Sequence, residues 1–147
     1  MAQVTATQSV TVAAAPEKVL AALSDYFTTR PQILPEQYLD YKVVEGGQGA
    51  GTVASWTLQA TAKRSRSVAA TVAVVGSTIT ETDANSSMVT TYTVAPAGPA
   101  SSIVTTTTSW KGAGGIGGFF EKTFAPKGLN RIQAALLGNL KNLVEAS

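Results

Sequence analysis

Neither cysteine nor histidine occurs in the 147 residues, and each absence removes a set of mechanisms. Without cysteine no disulfide framework forms, and without both residues no Cys/His zinc site is available. A Ser-His-Asp or Cys-His nucleophilic site is excluded because its base is missing. Any acid–base work falls to Asp, Glu, Lys or Tyr. The 9 acidic residues are scattered along the chain, so an oxygen-only metal site is not expected either. Nothing in the sequence indicates a cofactor. Charge is scarce as well, at 14% of residues against about a quarter in an ordinary globular chain. A net charge of +2 is too small to imply nucleic acid as a partner. No segment approaches the roughly 20 apolar residues that span a bilayer. The first residues lack the basic start and continuous apolar run of a signal peptide, so a cytoplasmic location is expected.

What is present is one apolar, Val- and Thr-rich domain, expected to occupy 1–147 without linker or repeat. "QVTATQSVTV" at 3–12 alternates as a half-buried strand does. At "APEKVLAALS" the period changes; Pro16 suits a first helical turn, and the spacing predicts a short helix over 16–24. Pro31 and Pro35 leave room for at most another turn or two before residue 37. From Tyr38 to Trp110 the chain reads as six strands separated by short turns, which predicts antiparallel hairpins. Leu129, Ile132, Leu136, Leu140 and Leu143 then form one apolar stripe. An unbroken helix over 117–146 would run about 45 Å, so a kink or break is expected at Pro126 and Gly128.

Two glycine runs suggest nucleotide binding and fail on inspection. Gly46 and Gly51 have the spacing of a phosphate loop, but Thr52 stands where the lysine belongs and a strand follows instead of a helix. A hairpin turn is the expected role. Gly112, Gly114 and Gly117 match the dinucleotide fingerprint, but too little chain follows for a βαβ unit and no acidic residue sits near position 133. A strand-to-helix corner is expected there.

The order strand, two short helices, six strands, long amphipathic helix resembles the helix-grip fold of the START-like (SRPBCC) superfamily. That superfamily includes Bet v 1-type plant proteins and polyketide cyclase/dehydrase and lipid-transport proteins. "SVTVAAAPEKVLAALSD", "GGQGAGTVASW" and "GLNRIQAALLGNLKNLVE" carry the resemblance over essentially the whole chain. "LPEQYLDYKVVEGGQGAGT" is similar to small single-domain actinobacterial members. The resemblance implies an α+β fold with a seven-stranded antiparallel sheet curved around the long C-terminal helix. Two short helices would lie between strands 1 and 2, and an apolar cavity between sheet and helix. It further implies a hydrophobic small-molecule partner, lipid or polyketide-like, carried or sensed, with aromatase/cyclase chemistry as the alternative.

Period-2 counting places Trp56 and Leu58 on one face, and likewise Met88 and Tyr92, with Trp110 on a later strand. The last helix adds Phe120 and Phe124, while Tyr38 is expected at the mouth. Arg131, next to Ile132, is expected to reach a ligand carboxylate. Ala69, Ala70 and Ala73 are read as small residues that leave volume on a concave face. For a cyclase, Glu36 and Asp40 are the candidate acid and base. "KRSR" at 63–66, with Lys122, Lys127, Arg131 and Lys141, reads as a solvated face; attraction to an anionic membrane surface is the alternative. Monomer and homodimer are both open.

Overall fold

The computed structural model describes residues 3–61, 64–111 and 126–146. Strand β1 (Gln3–Val12) leads into helix α1 (Pro16–Ser24) and the short helix α2 (Thr29–Ile33). Six strands follow: β2 (Tyr38–Glu45), β3 (Val53–Thr61), β4 (Arg64–Val75), β5 (Thr78–Asp83), β6 (Val89–Gly98) and β7 (Ser101–Lys111). Helix α3 (Pro126–Glu145) closes the described chain. The strands form one antiparallel sheet in the order β1-β7-β6-β5-β4-β3-β2. Only the β1–β7 pairing joins strands distant in sequence; the remaining neighbours are hairpins, as the short turns require.

The sheet is two-faced because Val, Thr and Ala alternate along it. Ala54, Trp56 and Leu58 of β3, Val68, Ala70 and Val72 of β4, and Val104, Thr106 and Thr108 of β7 point inward and are buried. Leu129, Ile132, Leu136, Leu137, Leu140 and Val144 of α3 cover that face. Two expectations need correction. Of the three alanines read as cavity-side, only Ala70 faces inward; Ala69 is half-buried and Ala73 exposed, because both belong to the alternate parity of β4. The helix does not break at Gly128: α3 starts at Pro126, where a missing N–H costs nothing, and runs through the glycine. Residues 117–125 lie outside the described residues, as do the glycines at 112–117.

Helix α3 is tied to the far edge of the sheet at its last turns. Lys141 Nζ donates to the Thr11 carbonyl at 3.1 Å and to Glu145 Oε2 at 2.6 Å. Glu145 Oε2 in turn accepts the Ala13 amide at 2.7 Å. Nearer the middle, Asn139 Nδ2 donates to the Ile33 carbonyl of α2 at 3.0 Å.

The glycine run at 46–51 is the β2–β3 turn, and its amides are already used inside the protein. Gly47 N–H donates to Thr52 Oγ1, Gly49 N–H to the Ser24 carbonyl, and Gly51 N–H to the Val72 carbonyl. The Gly47 carbonyl accepts from Tyr26 N–H at 2.8 Å. A phosphate loop presents its amides outward; this one knits the end of α1 to the sheet. Gly47, at φ +136°, packs against Phe27 so closely that a Cβ would stand 2.0 Å from the ring. Gly49, at φ +62°, has open space around it. Gly47→Ala is therefore expected to lower stability by about 1–3 kcal/mol, and Gly49→Ala by about 1 kcal/mol. Adding Phe27→Ala should recover part of the first loss and none of the second, as measured by denaturant unfolding in a double-mutant cycle.

Candidate ligand-binding site

Between the inner face of the sheet and α3 the described residues enclose a cavity of about 20 Å³, roughly the space of one water molecule. Its greasy wall is Tyr38, Trp56, Leu58, Met88, Leu129 and Leu136. Its polar wall is Glu81, Thr90, Tyr92, Thr106, Thr108 and Gln133. The aromatic side is built by stacking: the Tyr38 and Trp56 rings lie 5.6 Å apart and tilted, and Tyr41 stacks on Trp56 at 6.1 Å. Such offset contacts fix ring orientation as well as burying area.

Behind the polar wall sits a buried ion pair. Arg30 Nη1 donates to Glu81 Oε2 at 2.5 Å. Tyr26 O–H donates to the same oxygen at 2.6 Å, and Arg30 Nη2 donates to the Tyr26 hydroxyl at 3.2 Å. The guanidinium lies between two rings, 4.3 Å from the centre of Tyr26 and 4.6 Å from that of Tyr92. Arg30 and Glu81 are 2% and 6% exposed. At that depth neither charge is tolerable alone, and the pair with its two aromatic faces supplies the compensation. Arginine suits the position because its flat cation stacks while its fork hydrogen-bonds.

A chain of hydroxyls and an amide crosses the cavity. Gln133 Nε2 of α3 donates to Thr108 Oγ1 at 2.8 Å, and that hydroxyl pairs with Thr90 Oγ1 at 2.8 Å. Two neighbouring atoms are buried without a protein partner, Trp56 Nε1 and Gln133 Oε1, while the Thr106 hydroxyl lies beside the Tyr92 phenol oxygen. Burial pushes the phenols of Tyr92, Tyr26 and Tyr38 upward, the nearby Glu81 carboxylate adding to the effect in each. Burial likewise pushes Tyr41 up to about 12. All remain neutral near pH 7.

Of the residues singled out in the sequence, Tyr38, Trp56, Leu58, Met88 and Tyr92 line this cavity. Trp110 is buried in the core and is not part of the wall. Arg131 is exposed on the outer side of α3 while the next residue, Ile132, is buried, so a helix turning 100° per residue points Arg131 away from the cavity. Glu36 and Asp40 are both exposed. Phe120 and Phe124 lie outside the described residues, as do the side chains of Lys63, Arg64, Arg66, Lys122 and Lys127. The residues missed were Arg30, Glu81 and Gln133. Glu81 was within reach: Ile79, Glu81 and Asp83 share a parity with an apolar lead residue, which sends a carboxylate inward. Arg30 carries no comparable signal, being one basic residue on a five-residue helix.

A seven-stranded antiparallel sheet closed over by a C-terminal helix, with two short helices after β1, is the helix-grip architecture. A family model described as polyketide cyclase/dehydrase and lipid transport matches residues 3–145. The chain belongs to that family. Among solved structures, the KanY protein, determined by NMR, shares 60% identity over 99% of both chains, with a TM-score of 0.90. A protein of Thermus thermophilus shares 18% over 97% of both chains, with a TM-score of 0.75. Norcoclaurine synthase of Thalictrum flavum, in complex with dopamine and hydroxybenzaldehyde, shares 16% over 97% of this chain and 87% of its own, with a TM-score of 0.68. The last two likenesses are likenesses of fold. No curated protein matches the sequence.

Two outcomes follow from the buried charges and phenols. Arg30→Met or Glu81→Leu alone should cost about 3–5 kcal/mol, because each strands the other charge in the interior. The double variant should cost clearly less than the sum, as read from thermal or denaturant unfolding. The four tyrosines, all raised, bind their protons more tightly folded than unfolded. Their contribution is complete below the ordinary phenol value near 10 and is lost as pH rises; for Tyr41 the window runs from 10.0 to about 12. In an alkaline titration the tyrosinate absorption should therefore rise together with unfolding, not before it.

Proposed function

We propose that this member of the family encloses a hydrophobic small molecule, lipid or polyketide-like, between its sheet and α3, as a carrier or sensor. The observation that carries the reading is the pair of buried, unpartnered polar atoms on the cavity residues Trp56 and Gln133. A core serving stability alone pairs such groups, since each unmet donor or acceptor costs about 1–3 kcal/mol. A guest with one polar end meets them, and its apolar body gains roughly 25 cal/mol for each Å² removed from water. Among the described residues the cavity has room for about one water molecule. To admit a guest its wall has to give, and Met88, Leu129 and Leu136 are unbranched or γ-branched side chains that re-pack readily. That a protein of the same fold holds dopamine and hydroxybenzaldehyde supports a small organic guest here.

We rank the cyclase alternative second. Glu36 and Asp40 face solvent, Glu81 is bound by Arg30 and Tyr26, and burial holds the Tyr92 phenol above its ordinary value. Among the described residues no helix is long and apolar enough to cross a bilayer.

Native mass spectrometry of freshly purified protein, followed by solvent extraction, tests the proposal. A discrete added mass that extracts as an apolar compound is the expected result. A bare mass, together with no apolar compound raising the melting temperature in a thermal-shift screen, would remove the cavity as the seat of function.

A further inference from the structure

The polar wall of the cavity has a sign. Among the described residues its only ionised group is Glu81, and no Lys or Arg lines it. The balancing cation, Arg30, stands behind the carboxylate, sandwiched between Tyr26 and Tyr92. Both side-chain hydrogen bonds from Tyr26 and Arg30 end on Glu81 Oε2. Gln133 spends its amide N–H on Thr108 and keeps a buried Oε1 unpartnered. The Thr106 hydroxyl, 1% exposed at residue level, lies beside the Tyr92 phenol and retains a lone pair to accept. Across the cavity, on the aromatic wall, Trp56 Nε1 is a buried donor without a partner among the described residues.

From this arrangement we infer that the cavity selects a neutral guest whose polar end is a hydrogen-bond-donating hydroxyl on a flat apolar body. The hydroxyl is read by Gln133 Oε1 and Thr106 on the acceptor side of the cavity, and the body lies against Trp56. This rests on the container reading and narrows it. A carboxylate or phosphate head is disfavoured, because it brings a second negative charge to Glu81 with no cation facing it among the described residues. An ammonium head gains little, because Arg30 already neutralises the carboxylate. A wholly apolar guest leaves Gln133 Oε1 unmet. Fatty acids and phospholipids are thereby excluded as preferred guests, and Arg131, which points outward, is not a head-group clamp.

Calorimetric titration of the full chain with four probes of one shape tests this: naphthol, naphthalene, naphthoate and naphthylmethylammonium, at neutral pH. Naphthol should bind about tenfold or more tighter than each of the other three. In Gln133→Leu the naphthol-to-naphthalene affinity ratio should fall toward about one, and Thr106→Val, of nearly the same shape, should lower it severalfold. If naphthoate or naphthylmethylammonium binds best, or naphthalene binds as well as naphthol, the hydroxyl-donor inference is overturned while the container reading stands. The same holds if both variants keep the wild-type ratio. If none of the four binds, the container reading fails first and takes this inference with it.

Discussion

A carboxylate on the inner face of a one-layer sheet must be answered from the layer that covers it, and here the answer comes from Arg30. The guanidinium reaches Glu81 from a helix of only five residues. That helix is too short to be stable by its own hydrogen bonds, so its place depends on this contact and on what Ile33 buries. Asp25 prepares the approach: its carboxylate accepts the amides of Phe27 and Thr28, the Thr29 hydroxyl and the Gln48 side chain. Burial alone would raise that carboxyl, but these donors outweigh it and hold it below its usual value. The helical turn, the glycine run and the ion pair therefore form one connected unit at the end of the sheet.

The cavity inherits its character from that unit. With Arg30 spent behind the wall, the polar groups left to the water-sized void are threonine hydroxyls, one amide, one paired carboxylate and neutral phenols. The family description covers both transformation and transport. Here the inward tyrosines are all held protonated by burial.

The sheet and the first helix were legible because their periods are strong and local. β1 and α1 have the bounds that alternation at 3–12 and the proline at 16 indicate. Trp56, Leu58, Met88 and Tyr92 reach the cavity because parity along a strand is rigid once one residue is known to face inward. Parity applied loosely also misled: three nearby alanines cannot all share a face when two of them sit an odd number of residues from the third. Arg131 fails for the helical version of the same reason, one residue being 100° of rotation. Arg30 and Gln133 were hidden because their importance arises from pairs 51 and 25 residues apart in sequence. No local pattern encodes such distances.

The two edges of the open sheet end differently. Along β2 the register slips twice, between Leu39 and Lys42 and between Val43 and Glu45, and Asp40 takes a positive φ of 53°. A strand bent in this way offers no straight row of amides for another chain to zip onto. At the opposite edge, the Thr11 carbonyl and Ala13 amide at the end of β1 are occupied by Lys141 and Glu145 of α3. The irregularity that costs β2 regular pairing is thus protection for a chain so rich in valine and threonine. Straightening it would make the molecule a template for its own copies.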